Sequence, residues 1–266
     1  MKVLSFGCGV QTVTLAAMSC LGEFEMPDFA VLADTQWETR ATYRYLGKFA
    51  AWAAPKGLKI VISSVGSIRN DALDPSKRFA SMPLYTETGF LVPSGKKEDG
   101  QLRRQCTREY KIDVVQKTIR QLSGLKAGER WKGEPCELWL GISLDEVVRM
   151  KDSPDKWVAN RWPLIEKRMS RGACIEWLKS RGLEVPPKSA CIGCPFHDNS
   201  YWMALKKDSP DEFDDACDFD DKIRTTRVAL RNPVYLHRSL MPLRLANLGE
   251  DQGEMFGNEC AGYCGT

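Results

Sequence analysis

Histidine is scarce in this sequence, because only His197 and His237 occur among its 266 residues. A zinc centre built on imidazole ligands is therefore disfavoured, and a metal held by this protein would have to rely on thiolates. The chain also lacks a run of about 18 apolar residues, which excludes a membrane-spanning helix. The apolar segment 3–6 is not preceded by a signal-peptide pattern, so we expect a cytoplasmic protein.

A large net charge is also missing. The sequence has 38 Lys and Arg residues against 35 Asp and Glu, which leaves a net charge of +3. This balance neither requires nor excludes a polyanionic partner. With 43% hydrophobic residues the chain is able to bury a substantial core, so its function has to be sought in local sites.

Cysteine, in contrast, is abundant. Ten cysteines in a chain without an export signal favour metal ligation or catalysis over disulfides. We expect Cys8, Cys20, Cys136 and Cys217 to be buried small hydrophobic residues.

The spacing of apolar segments predicts an α/β fold. Short apolar segments at 3–6, 29–33, 58–63 and 138–142 are separated by stretches long enough for crossover helices, the pattern of a parallel sheet. Helices are predicted at 12–21, 39–53, 107–122, 170–181 and 211–230, and the second of these carries Tyr43 and Phe49 at core spacing. We predict an α/β domain at 1–150 and a mainly helical, cysteine-bearing region at 151–266. The Pro- and Gly-rich segment 66–105 reads as an inserted loop, either a lid or plain disorder.

A glycine-rich turn follows the first predicted strand. Ser5, Gly7, Gly9, Gln11 and Thr12 lie between this strand and an apolar helix, where backbone amides and the helix dipole favour an anion. A tight turn that needs glycine only for its conformation is the alternative. The sequence has no G-x-x-x-x-G-K-S/T motif and no third glycine at dinucleotide spacing, which disfavours Walker-type and Rossmann dinucleotide sites.

Polar residues follow two other predicted strands at what should be the same edge of the sheet. Asp34 and Thr35 end the second strand, either as ligand contacts or as an N-cap of the next helix. Gly141 and Ser143 end the fourth strand, where Gly141 permits a close backbone approach.

The cysteines that stand out are Cys191 and Cys194, a C-x-x-C pair able to bind one metal or to form a redox disulfide. Cys106 is the best further ligand. The neighbouring Arg108 and Lys111 would favour its thiolate, although these charges would also suit a solvated helix start. Cys260 lies in a C-terminal tail, where it is either a catalytic thiol or an incidental one.

These motifs resemble the PP-loop ATP pyrophosphatase superfamily, in particular its sulfur-handling branch with phosphoadenosine phosphosulfate reductase. Residues 7–12 are similar to the PP-loop S-G-G-x-D-S, except that Gln11 replaces the acidic residue. The A-D-T-x-W-E sequence after the second strand is similar to reductase-like members. The resemblance implies a Rossmann-like (HUP-type) sheet that binds ATP and Mg²⁺, with Arg108 and Lys111 neutralising phosphate charge.

The resemblance extends to reductases that carry an iron-sulfur cluster. It implies that Cys106, Cys191 and Cys194 ligate a 4Fe-4S cluster, while Thr107 occupies the place of a fourth cysteine. Either one iron is open, as in some tRNA-thiolating members, or Cys174, Cys260 or Cys264 completes the set.

The implied reaction is adenylation of an acceptor with release of pyrophosphate, followed by sulfur transfer that releases AMP. The acceptor would be a base or phosphate of nucleic acid, as in DNA phosphorothioation. Cys260 would carry sulfur from a donor such as a cysteine desulfurase, and we expect a homo-oligomer. Two alternatives stay open, namely a sulfonucleotide reductase with a C-terminal catalytic thiol and a non-catalytic subunit of a DNA-modification or defence system. His237 and Arg238 would either meet an anionic substrate or form a packed turn.

Overall fold

The computed structural model describes residues 1–91, 97–227, 230 and 232–249. The strands are β1 (Lys2–Ser5), β2 (Phe29–Ala33), β3 (Ile60–Ser63), β4 (Tyr85–Leu91), β5 (Lys97–Gln101), β6 (Cys136–Trp139), β7 (Val158–Arg161) and β8 (Val234–Tyr235). The α-helices are α1 (Val10–Cys20), α2 (Arg40–Ala53), α3 (Ile68–Leu73), α4 (Gln105–Thr107), α5 (Asp113–Leu122), α6 (Pro163–Glu166), α7 (Arg171–Ser180), α8 (Asn199–Asp208) and α9 (Pro210–Thr226). Other helical turns are Ala54–Lys56, Leu144–Arg149, Leu243–Leu245 and the π-helical Arg108–Ile112.

Two compact units divide the chain, and their bounds differ from a division at residue 150. The first contains residues 1–65 and 107–189, and the second contains residues 66–106 and the described residues from 190 onward. The first unit passes residue 150 because β7 pairs with β6 and α7 packs against α1.

The first unit is built on a parallel sheet with the order β3-β2-β1-β6-β7. All neighbouring pairs in this sheet run parallel. Successive residues of β1 enter different cores, since Val3 packs with Ile119 of α5 while Leu4 packs with α1 and Leu178 of α7. Helices therefore cover both faces, and the predicted α/β, Rossmann-like fold class is confirmed.

The strand β7 is absent from the sequence prediction, which expected mostly helices beyond residue 145. Its sequence, V-A-N-R, buries only Val158. Pairing with β6 from Cys136↔Val158 to Trp139↔Arg161 makes these residues a strand, so tertiary hydrogen bonding determines the structure of a segment with little apolar pattern.

The helix α2 begins after Thr39, whose side-chain oxygen accepts a hydrogen bond from the Thr42 amide at 3.2 Å. The N-cap of α2 is thus Thr39, and the suggestion that Asp34 or Thr35 has this role is wrong. Phe49 is buried in the core as predicted. Tyr43 is only half-buried, because its hydroxyl group binds Asp34 instead of entering the core.

The second unit corrects the prediction for segment 66–105. This segment contains α3 and two strands, which pair as an antiparallel hairpin, and β4 also pairs with β8. Arg69 of α3 forms salt bridges with Asp215 and Asp218 of α9 at 2.9 Å and 2.6 Å. Among the described residues, Pro75 lies in a turn, whereas Gly89 and Gly100 lie within β4 and β5, so the loop prediction is wrong for these strands.

No helix in the part of the chain that the structure describes is both long enough and apolar enough to cross a membrane.

Candidate functional site

The order of the strands produces a switch point between β1 and β6. From β1 the chain moves outward to β2 and β3, and after α5 it returns to the other side of β1 with β6 and β7. In open parallel sheets, ligands bind at the carboxyl ends of the strands beside such a point. The loops that follow β1 and β6 contain most of the residues predicted to bind nucleotide.

The loop after β1 has an open face above its backbone. Gly9 is the N-cap of α1, with an extended backbone (φ −93°, ψ 174°). A Cβ added to Gly7 or Gly9 meets no heavy atom within 4 Å. The first turn of α1 contains no acidic residue, so none of the helix's own side chains offsets the positive end of its dipole at this place. This geometry suits an anion.

Cys8 adopts a left-handed backbone conformation in this loop, with φ 57°. Such a conformation is unfavourable for a residue other than glycine and is often found at functional sites. The side chain is completely buried, and burial raises the pKa of the thiol to about 12. Cys8 is therefore a neutral core residue, as predicted.

The residue Gly141 contacts the beginning of α1. A Cβ at this position would lie 2.6 Å from Cγ2 of Thr12 and 3.3 Å from the Thr12 amide nitrogen. A ligand contact at Gly141 stays a prediction, and the close neighbour in the structure is Thr12 in the first turn of α1. The hydroxyl group of Thr12 donates to the Gly9 carbonyl oxygen at 3.3 Å, which ties the helix start to the loop.

A carboxylate from the Leu144–Arg149 turn reaches the same loop. Nε2 of Gln11 donates to Oε2 of Glu146 at 3.3 Å, and Glu146 forms a salt bridge with Arg149. Ser143, at the start of this turn, is completely buried. The sequence shows a cluster of charges beyond the fourth predicted strand, but it does not assign a site role to Glu146.

At the end of β2, the carboxylate of Asp34 is held by two hydrogen bonds. It accepts from the Tyr43 hydroxyl group at 2.7 Å and from the Gln36 amide at 2.8 Å. Burial and the Asp34 contact raise the pKa of Tyr43, which keeps its phenol protonated as a donor. Thr35 is buried beside it. Asp34 thus stabilises a turn, and its contact with nucleotide stays a prediction.

Arg108 and Lys111 lie in the π-helical turn that precedes α5, and this turn contacts β2. Turns of this kind are often found at functional sites. Since α5 connects the carboxyl edge of the sheet to the start of β6, the turn lies at the edge that also carries the glycine loop. Nε of Arg108 forms a salt bridge with Asp113 at 2.6 Å, and the arginine side chain stays more than half exposed.

The three cysteines predicted to ligate a cluster belong to the second unit. Cys191 and Cys194 are buried in a turn, in which the Cys194 amide donates to the Cys191 carbonyl oxygen at 3.0 Å. Nε2 of His197 also bonds this oxygen at 2.9 Å. Among the described residues, no three His, Cys, Asp or Glu side chains are arranged so that they could hold a metal ion. Ligation of an iron-sulfur cluster by Cys106, Cys191 and Cys194 stays a prediction.

The other suggested ligands and thiols differ in their placement. Cys174 is completely buried in the core of the first unit, and burial raises its pKa to about 11. Cys260 and Cys264 lie outside the described residues.

His237 forms part of a packed turn. Its Nε2 lies 2.8 Å from Oδ1 of Asn199 and its Nδ1 lies 2.7 Å from the Ser239 hydroxyl group. Because Oδ1 only accepts hydrogen bonds, Nε2 carries the proton. Burial and the neighbouring Arg238 lower the pKa of His237 to about 4. Of the two alternatives for His237, the packed turn is the one observed.

Among solved structures, the chain is similar to the crystal structure of phosphoadenylyl-sulfate (PAPS) reductase from Candida auris in a phosphate complex. The TM-score is 0.40 at 11% sequence identity, and the match covers 70% of this chain and 74% of that chain. No protein-family model and no curated protein matches the sequence. At this TM-score and identity, the similarity supports no statement about the activity of this chain.

Proposed function

We propose that this protein is an enzyme that binds ATP at the carboxyl edge of its parallel sheet and transfers the adenylyl group to an acceptor, with release of pyrophosphate. One observation carries this proposal. The glycine loop and the end of β6 meet at the switch point, and the loop leaves open space above Gly7 and Gly9 at the start of α1. Backbone amides and a helix dipole at that place are suited to phosphate oxygens.

The charges around the loop support a triphosphate with its metal ion. Mg²⁺ prefers oxygen ligands and is usually held by one or two carboxylates together with substrate phosphates. Glu146, which binds Gln11, fits this requirement and would supply the acidic group that Gln11 does not. When bound, Mg²⁺ neutralises phosphate charge. Arg108 and Lys111 would add positive charge at the same edge.

The proposed reaction begins when an acceptor oxygen attacks the α-phosphorus and pyrophosphate leaves. A sulfur nucleophile then displaces AMP and leaves a thiolated acceptor, for which a base or phosphate of nucleic acid is the proposed class. The sulfur would come from a donor protein such as a cysteine desulfurase, with Cys260 as a proposed carrier in the form of a persulfide. After the outer sulfur has displaced AMP, a thiol reductant would cleave its S–S bond to Cys260 and be oxidised to a disulfide. No step is assigned to an iron-sulfur cluster, for which Cys106, Cys191 and Cys194 stay the proposed ligands.

Substitution of Gly9 tests the proposed ATP site. A Cβ at Gly9 does not clash with the protein and would occupy the space intended for phosphate, so Gly9→Ala should fold but lose most ATP binding and pyrophosphate release. Gly47→Ala is the matched control, because a Cβ at this exposed position in α2 also meets no atom within 4 Å. Equal pyrophosphate release by both variants would refute the ATP site.

The same assay separates the proposal from sulfonucleotide reduction. Purified protein is incubated with adenylyl sulfate or its 3'-phosphorylated form in the absence of ATP. Release of sulfite would indicate a reductase, whereas ATP-dependent release of pyrophosphate with nucleic acid supports adenylation.

A further inference from the structure

Positive charge is concentrated in one segment of this nearly neutral chain. Residues 117–132 contain five Lys or Arg residues, and Glu129 is the only acidic residue among them. Lys126, Arg130 and Lys132 are all exposed. The local excess therefore differs sharply from the balance of the whole chain, where cations outnumber anions by only three.

Two tryptophans lie among these cations. The rings of Trp131 and Trp157 pack at 5.3 Å between centroids with an interplanar angle of 31°. The Arg120 guanidinium lies 5.6 Å from the Trp157 ring centroid, a cation-π distance. Both indoles are only partly buried. The partly exposed indole rings therefore lie beside positively charged side chains.

The surface around these residues is concave. One concavity is lined by Arg130, Trp131 and Lys132, and an adjoining one by Lys117, Arg120 and Trp157. Leu125 lines both, so we name the two together the basic groove. The groove belongs to the first unit, on the outer side of α5 and the connection to β6.

Three acidic side chains near the basic groove form contacts within the protein, and a fourth, Glu134, is exposed two positions after Lys132. Asp113 forms its salt bridge with Arg108, and Asp155 accepts a hydrogen bond from Gln116 at 2.7 Å. The Glu129 carboxylate accepts from the Lys126 amide at 2.8 Å. These contacts leave the excess of cations to determine which partner the groove attracts.

We propose that the basic groove binds a single strand of nucleic acid. Cations that follow a phosphate backbone and aromatic rings against which bases stack are the two components of sequence-tolerant binding to single strands. A duplex would offer only its phosphates to this surface. The assignment deepens the proposed function and rests on it: the connection to β6 and Trp157 precede β6 and β7 at the amino edge of the sheet, so the groove would hold a part of a long acceptor strand away from the ATP site.

The test measures binding of fluorescently labelled DNA and RNA strands of roughly 20 nucleotides by anisotropy, at several salt concentrations. Arg130→Glu combined with Lys132→Glu should weaken binding at least about tenfold and reduce the salt slope by about two. Arg44→Glu combined with Lys207→Glu is the matched control, since both positions are exposed and distant in sequence from the groove. Circular dichroism verifies that both double variants are folded.

Stacking provides an independent readout. Bound strands should quench tryptophan fluorescence, and Trp131→Phe should remove part of the quenching. The groove assignment fails if the wild-type protein binds neither strand, or if both double variants bind equally well. Binding of duplex as tightly as single strands would also contradict it.

ATP binding, measured on the same proteins, separates the two proposals. If the groove proposal is wrong, the protein should still bind ATP. If the ATP proposal is wrong and the groove proposal holds, the protein should bind single strands but not ATP.

Discussion

Nε2 of Gln11 donates a hydrogen bond to Oε2 of Glu146 at 3.3 Å, although the two residues are 135 positions apart. The contact joins the glycine loop after β1 to the turn after β6. A carboxylate beside an anion site would repel phosphate. A cation between the carboxylate and the phosphate would remove this repulsion. In the structure, the salt bridge with Arg149 compensates the charge of Glu146.

Glu146→Gln tests whether this carboxylate serves the metal ion. The substitution retains the size of the side chain and removes its charge, so we expect the affinity for ATP with Mg²⁺ to fall about tenfold, which corresponds to about 1.4 kcal/mol. Isothermal titration calorimetry with and without Mg²⁺ measures this change. Affinity for ATP without Mg²⁺ should not fall, because the repulsive charge is gone.

Glu176→Gln is the control for this prediction, since Glu176 is highly exposed and its ion pair with Lys179 is long, at 3.8 Å. A Glu146→Gln protein that binds ATP with Mg²⁺ as well as this control would contradict the proposed role.

The contact between Gly141 and Thr12 supports a second prediction. Gly141→Ala places a Cβ 2.6 Å from Cγ2 of Thr12, so we expect a loss of about 1–3 kcal/mol in the free energy of unfolding. Thr12→Ser removes Cγ2, so in that background Gly141→Ala should lower the free energy of unfolding much less. Denaturant unfolding of the two single variants and the double variant gives the coupling energy. Additive effects would mean that the two groups do not meet.

Much of the fold follows from local sequence patterns. The strand β2 has the predicted bounds, because F-A-V-L-A is a continuous apolar run buried on both faces of a parallel sheet. The strand β7 and the β4–β5 hairpin were missed, since their sequences are polar or rich in glycine and take their structure from their partners. The spacing of apolar residues within a segment does not show which strand that segment pairs with.

The candidate site was predictable only in part. The glycine loop is local, so its conformation follows from Gly7, Gly9 and the helix that starts there. The Gln11–Glu146 contact depends on which strands become neighbours, and strand order is not visible in any single segment. Tyr43, predicted in the core, instead donates to Asp34, a contact that depends on the conformation of the connection between β2 and α2.

The pKa of His237 predicts how stability depends on pH. Burial lowers this pKa from 6.5 to about 4, so the folded protein binds the proton more weakly than the unfolded chain does. The stabilising contribution is complete above about pH 6.5 and is lost as the pH falls toward 4. We expect His237→Asn to show a smaller decrease between pH 7 and pH 5 than the wild-type protein in urea unfolding. An identical decrease in both proteins would contradict this assignment.

The buried carboxylate of Asp220 supports the last prediction. It accepts hydrogen bonds from the amides of Leu236 and Leu243 at 2.7 Å and 2.8 Å, and it pairs with Arg224 at 2.9 Å. Asp220→Ala leaves these donors buried without their acceptor, so we expect a loss of about 3–5 kcal/mol in the free energy of unfolding. Asp221→Ala is the control, because Asp221 also contacts Arg224 but is half exposed and should cost less than about 1 kcal/mol. Denaturant unfolding compares the two variants, and equal losses would show that Arg224 alone, without the two amides, explains the effect of Asp220.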